Sequence, residues 1–225
     1  MDDTRRYAAE FLGTLLLVFI GVGATISARE SGGVVVVALA FGFVAAVLFY
    51  TLGPLSGFHA NPAITLGVLL SGKISPAGAV AYWVAQFLGA TVAGLLLWGL
   101  TRWGDVADQT GVLGTNGYGQ HINLGGAMVL ETVLTFLFVL VVLVVTGRPE
   151  YAGSAGLVIG FALAAVLLAG ITLDGTSVNP ARSFGPAVFE GGTALRQLWV
   201  FVIFPLVGAA LAAAVAPLVV GRETR

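Results

Sequence analysis

Six apolar runs, at residues 7–27, 33–53, 77–100, 125–146, 153–172 and 195–220, are separated by short polar or turn-rich segments. A membrane-crossing helix needs about 20 predominantly apolar residues, so each run predicts one span. An even number of spans puts both termini on the same side. Two further apolar stretches, at residues 61–71 and 179–189, reach only about 15 Å as helices, half the hydrocarbon thickness. They can enter a bilayer but not cross it.

The two short stretches hold matching places, after the second and the fifth span, and both open with Asn-Pro-Ala: Asn61-Pro62-Ala63 and Asn179-Pro180-Ala181. That is an internal repeat. Corresponding points of its halves, about 7–100 and 125–220, are separated by an odd number of spans, so the second half lies inverted relative to the first. Short Gly/Pro-interrupted segments at equivalent places in inverted halves point to a site near the midplane. The predicted architecture is an all-α membrane protein. Six transmembrane helices and two re-entrant half-helices form one channel domain over residues 1–225, its halves joined by an extracellular loop.

Orientation follows from the flanking cations. Arg5, Arg6, Lys73, Arg148, Arg222 and Arg225 fall on the side of the termini, against Arg29, Arg102 and Arg196 on the other. This predicts cytoplasmic termini in a multi-pass protein of the cell membrane. Tyr82, Trp83, Trp98, Trp103, Tyr151 and Trp199 lie near predicted span ends, where interfacial aromatics belong.

Composition narrows the picture further. Hydrophobic residues make up 58% and charged residues 9%, against about 25% charged in soluble domains, so the spans leave no separate soluble domain. A net charge of -1 provides no basic face and excludes nucleic acid as a partner. The chain has no cysteine, hence no disulfide, thiolate metal site or thiol nucleophile, and it should be insensitive to mercurials. Arg5 and Arg6 before an apolar run resemble a signal peptide, but no convincing cleavage site follows, so this run reads as the first span.

In each Asn-Pro-Ala, asparagine suits a helix N-cap and proline the first helical position. Any single helix can start this way; two copies, each after a turn-rich loop (54–60 and 173–178) and each opening a helix too short to span, favour paired half-helices. Their N-termini then meet near the bilayer centre, each with about half a positive charge, and the junction repels cations. The asparagine oxygen caps its helix while the amide retains N–H donors for a passing molecule. Backbone carbonyls at Gly57, Phe58, His59 and Ala60, and at Gly175, Ser177 and Val178, are the expected acceptors, because non-helical backbone at depth is tolerated where it lines a cavity.

Arg182 follows Asn179 by one helical turn. A charge at that depth marks a functional site, and it is assigned to the pore wall; the matching turn of the first half has Ile64 and Thr65 and no cation. Glu10 and Glu131 are the acids placed inside spans, near the starts of the first and fourth. Either they accept hydrogen bonds from unpaired N–H groups of the re-entrant loops, or they are interfacial carboxylates. His59 either lines the inner vestibule or braces its loop, and His121 is a loop residue. Ala38 with Gly42, and Gly156 with Gly160, suit close helix contacts.

Four segments resemble the aquaporin (major intrinsic protein) family: Ala9-Glu10-Phe11-Leu12-Gly13-Thr14, Ser56-Gly57-Phe58-His59-Ala60-Asn61-Pro62-Ala63, Asn116-Gly117-Tyr118-Gly119 and Thr176-Ser177-Val178-Asn179-Pro180-Ala181-Arg182-Ser183. The resemblance spans nearly the whole chain and implies passive, single-file water conduction with exclusion of protons and ions, for which the family uses an arginine and half-helix dipoles. It also implies a homotetramer in lipid with one pore per subunit. The outer constriction of the family corresponds to Phe41, Leu167, Thr176 and Arg182. Water-selective members usually have histidine where Leu167 stands. Glycerol facilitators usually have tryptophan at Phe41, glycine at Leu167 and aspartate at Ser183. Phe41, Arg182 and Ser183 favour water, whereas Leu167 gives a more apolar wall, similar to that of some archaeal aquaporins, and leaves passage of glycerol or other small neutral solutes open.

Ion-coupled transporters also use inverted repeats and broken helices. Coupling, however, needs ion-binding groups along the path, and Glu10, Glu131 and Arg182 are the few available. A structural membrane protein with a closed pore is another alternative. No metal cluster or nucleophile–base constellation points to an enzyme, and no cofactor is expected.

Overall fold

The computed structural model describes residues 3–28 and 32–220; of the orienting cations, Arg29, Arg222 and Arg225 lie outside these. The described residues form eight α-helices: α1 (Asp3–Ser27), α2 (Gly33–Ser56), α3 (Pro62–Leu70), α4 (Pro76–Trp103), α5 (Leu124–Thr146), α6 (Ala155–Asp174), α7 (Pro180–Glu190) and α8 (Gly192–Val220). All but α3 and α7 are long and apolar enough to cross a membrane. The protein is multi-pass, with two half-helices between the second and third and between the fifth and sixth spans.

Within the halves α1 packs on α4 and α5 on α8, while α2 packs on α6 across the pseudo-symmetry axis. Lipid gives little hydrophobic drive for helix association, so close backbone approach carries the packing. A Cβ on Gly42 would lie 2.7 Å from the Gly160 carbonyl oxygen, and one on Gly160 would lie 2.5 Å from that of Gly42. The contact is reciprocal and admits no side chain. The same device recurs at equivalent places in the halves, where Gly89 lies against the Phe11 carbonyl and Gly208 against that of Thr132. Among the described residues the ion pair recorded, Arg6–Asp3 at 3.6 Å, is exposed and contributes little.

Three expectations require correction. Residues 54–56 and 173–174 are helical, not loop. Pro54 forfeits one intrahelical bond near the end of α2, a loss membrane helices tolerate; the helices stop at Gly57 and Gly175, both left-handed at φ 85°, where glycine has no Cβ to clash. Tyr82 is 1% exposed and donates its hydroxyl to the Ser56 carbonyl at 2.8 Å, so it is an internal brace rather than an interfacial aromatic. Asp174, the last residue of α6, is also buried, so Glu10 and Glu131 are not alone among intramembrane acids.

Candidate functional site: a constricted path between two re-entrant loops

Residues 57–61 and 175–179 connect each spanning helix to its half-helix. Non-glycine φ values are positive at Phe58 (48°) and Ala60 (46°), and at their equivalents Thr176 (38°) and Val178 (45°). Such positions cost on the order of 1–3 kcal/mol each and persist where the surroundings over-determine them. Here the surroundings are buried acids. Glu10 accepts from Ser56 Oγ (2.7 Å), the His59 N–H (2.8 Å), the Ala60 N–H (2.7 Å) and Gln86 Nε2 (2.7 Å). Glu131 accepts from the Ser177 N–H (2.6 Å) and Val178 N–H (2.9 Å). Both acids are fully buried, each behind the loop of its own half.

The loops then join the two halves. Asn61 and Asn179 cap α3 and α7 through their side-chain oxygens, which accept from Ala63 N–H (2.8 Å) and from Ala181 and Arg182 N–H (3.0 and 3.2 Å). Asn61 Nδ2 donates to the Val178 carbonyl at 2.7 Å, and Asn179 Nδ2 donates to the Ala60 carbonyl at 3.0 Å. One N–H of each amide is thereby engaged and one remains, because a primary amide has two.

Both asparagines line a narrow cavity together with Phe58, His59 and Ser177 of the loops and Phe41, Leu167, Thr176 and Arg182. The volume open to the centre of a water molecule is about 20 Å³, little above the roughly 10–15 Å³ that one water requires. Outside it a vestibule of about 930 Å³ opens, lined in part by Gly175, Asp174, Asn116 and His121. Gly57, Ala60 and Val178 do not line the narrow cavity; the Ala60 and Val178 carbonyls are the tie points between the loops. Pro62, Ala63, Pro180 and Ala181 are buried in the first turns of α3 and α7. His59 both lines the cavity and braces it, with Nδ1 3.0 Å from Thr65 Oγ1 and its ring edge-on to Tyr82.

Arg182 is 1% exposed. Its Nη1 donates to the Gly114 carbonyl and to Asn116 Oδ1, both at 2.9 Å, while Nε and Nη2 have no hydrogen-bond partner among the described residues. Its guanidinium carbon lies over the ring of Phe41, and that ring fills the space beside Gly21, where a Cβ would come within 2.2 Å of it. Gly21, Gly114 and Asp174 were not legible as site residues. Asn116 stood out only as part of a family-like motif. For Asp174 a signal was available: it stands where the first half has Ser56. Among the described residues, no group of acids and histidines is arranged to hold a metal ion.

The family model for "Major intrinsic protein" matches residues 1–216. This chain belongs to the major intrinsic protein family. It is 42% identical over 210 residues to glycerol uptake facilitator protein-like 6 of Lactiplantibacillus plantarum, covering 93% of this chain and 95% of that protein. It is 40% identical over 217 residues to Aquaporin Z of Rhodopseudomonas palustris, covering 93% and 90%, and 40% identical over 227 residues to Aquaporin Z of Brucella melitensis, covering 97% and 99%. The fold is similar to the X-ray structure of the aquaglyceroporin from Plasmodium falciparum, with a TM-score of 0.86, 25% identity and 95% of each chain covered. Members of this family are channels and transporters.

Proposed function

We infer that the chain is a passive water channel whose outer constriction is formed by Phe41, Leu167, Thr176 and Arg182. The observation that carries this reading is the cavity of about 20 Å³ in which these four meet Asn61 and Asn179. Water passes in single file because one molecule fills the section. The free N–H of each asparagine orients it, and the backbone carbonyls of Phe58, His59 and Ser177, residues that line the cavity, provide acceptors on either side. Arg182 and the two half-helix N-termini, each with about half a positive charge, repel cations and protons.

Glycerol and other small neutral solutes form a second reading, favoured by the apolar Leu167 wall and by the similarity to the Lactiplantibacillus glycerol uptake facilitator protein-like 6. Stopped-flow light scattering on proteoliposomes, with an impermeant osmolyte and then with glycerol, tests both. Fast shrinkage with no added re-swelling identifies a water channel, acceleration in both a shared pore, and acceleration in neither refutes conduction.

The same reading makes residues 7–100 and 125–220 the halves of one channel domain, joined by an extracellular loop. The cation bias supports cytoplasmic termini, and the cell membrane is the proposed location. Lys73 lies beside Gly147, and Arg148 donates to the Val219 carbonyl, at the end where the chain terminates. The exposed apolar side chains of the spans, such as Phe43, Val84, Val129 and Phe161, suit lipid and neighbouring subunits of a homotetramer.

A further inference from the structure

One chemical difference between the halves behind the loops is a change of charge. In the first half Ser56 Oγ accepts the Phe58 N–H at 3.0 Å and donates to Glu10 at 2.7 Å. In the second half the equivalent residue is Asp174, whose Oδ1 accepts the Thr176 N–H at 2.9 Å. A neutral hydroxyl has been exchanged for an acid, although serine makes the same turn. Asp174 is 3% exposed, and its Oδ2 has no hydrogen-bond partner among the described residues. A buried carboxylate is costly unless a cation offsets it.

That cation is Arg182. It shares Asn116 with Asp174, since Asn116 Oδ1 accepts from Arg182 Nη1 and Asn116 Nδ2 donates to the Asp174 carbonyl, while the direct bonds of the guanidinium go to the neutral oxygens of Gly114 and Asn116. Glu131 is committed to the Ser177 and Val178 N–H groups, as Glu10 is to its own loop. Asp174 is the acid without a counterpart in the other half, and it lines the vestibule together with Gly114 and Asn116, the residues whose oxygens hold Arg182. It is also tied to the arginine's support, since its carbonyl accepts from Asn116 Nδ2 at 3.3 Å and from the Gly117 N–H at 3.1 Å.

We propose that Asp174 is a specificity-determining residue of the pore, a buried counter-charge to Arg182 that keeps the outer constriction from attracting ions of either sign. This rests on the reading of the chain as a water-conducting pore. In a low-dielectric wall a charge acts well beyond contact distance. Arg182 without its acid would repel cations but draw anions; Asp174 without its arginine would draw cations.

The full-length protein in proteoliposomes tests this through potential-driven potassium and nitrate flux, with water flux of the unsubstituted protein as reference. Asp174→Asn keeps an oxygen for the Thr176 N–H and removes the charge, so the nitrate-to-potassium ratio should rise. Arg182→Val should admit potassium, and Asp174→Asn added to it should lower that leak about tenfold, equivalent to about 1.4 kcal/mol on the barrier. Asp174→Ser, with the residue of the first half, should shift the ratio in the same direction and serves if the asparagine variant does not assemble. Equal potassium leak with and without Asp174→Asn, or an unchanged ratio in both single variants at position 174, would overturn the counter-charge. Failure of the unsubstituted protein to speed water flux would instead overturn the channel reading, and the proposal with it.

Discussion

The guanidinium carbon of Arg182 stands 5.5 Å from the centre of the Phe41 ring. A cation over an aromatic face is held by the ring quadrupole, so the two sides of the constriction stabilise each other's position. With Nη1 fixed by Gly114 and Asn116, the positive group cannot swing out of the path. Arg182→Val therefore removes both the local repulsion and the clamp. Proton or cation conductance should appear, read with an entrapped pH-sensitive dye under a potassium diffusion potential; a dye response equal to that of the unsubstituted protein would take Arg182 out of the filter.

Gly21 is the reason Phe41 can occupy its place. A methyl at position 21 would penetrate the ring, and overpacking of this kind costs about 1–3 kcal/mol unless the neighbour moves. Phe41 has the cavity to move into. Gly21→Ala should lower water permeability, the melting temperature, or both, whereas unsubstituted values in stopped-flow and thermal melts would show that the ring does not depend on this gap.

Leu167 is 1% exposed and contributes an apolar wall to the narrow cavity. Leu167→His replaces an aliphatic wall with a polar ring of similar bulk in the cavity that Arg182 also lines. Any glycerol flux should fall more than water flux, and parallel changes in the two would contradict the place of residue 167 at the constriction.

Glu10 holds one loop through two backbone N–H groups, a serine and a glutamine. Replacing it with alanine strands buried donors, each at a cost of about 1–3 kcal/mol. Glu10→Ala should thus destabilise the protein by at least about 2 kcal/mol, seen as a lower unfolding midpoint in detergent. Glu10→Gln, which keeps two side-chain heteroatoms but only one acceptor oxygen, should fall between. An alanine variant as stable as the parent would show that water substitutes for the carboxylate.

The spans and half-helices were legible because a bilayer imposes length and apolarity on anything that crosses it, and the duplicated Asn-Pro-Ala marked the two places where length fails. Hydrophobicity has no such power over what faces protein rather than lipid. Tyr82, an expected interfacial ring, is interior, and Asp174 is buried at a helix end that its polarity had suggested was loop. The seating of Arg182 on Gly114 and Asn116 comes from the irregular segment between α4 and α5, where no periodicity reports distance in space. Halfway between these cases is Pro54: proline signals a break, but the αL glycine three residues later sets the stop.

The crossed bonds from Asn61 to Val178 and from Asn179 to Ala60 also bear on biogenesis. When α3 has been synthesised, the acceptor for its asparagine does not yet exist, and the helix α8 on which α3 packs is the last to emerge. The first half must therefore wait in the translocon with an unfinished floor, and the conducting path closes as a terminal event of assembly. Nascent chains arrested before Pro180 should be cleaved by protease near residues 57–61 and become resistant once α8 is complete; early resistance would mean that the first half closes its own loop.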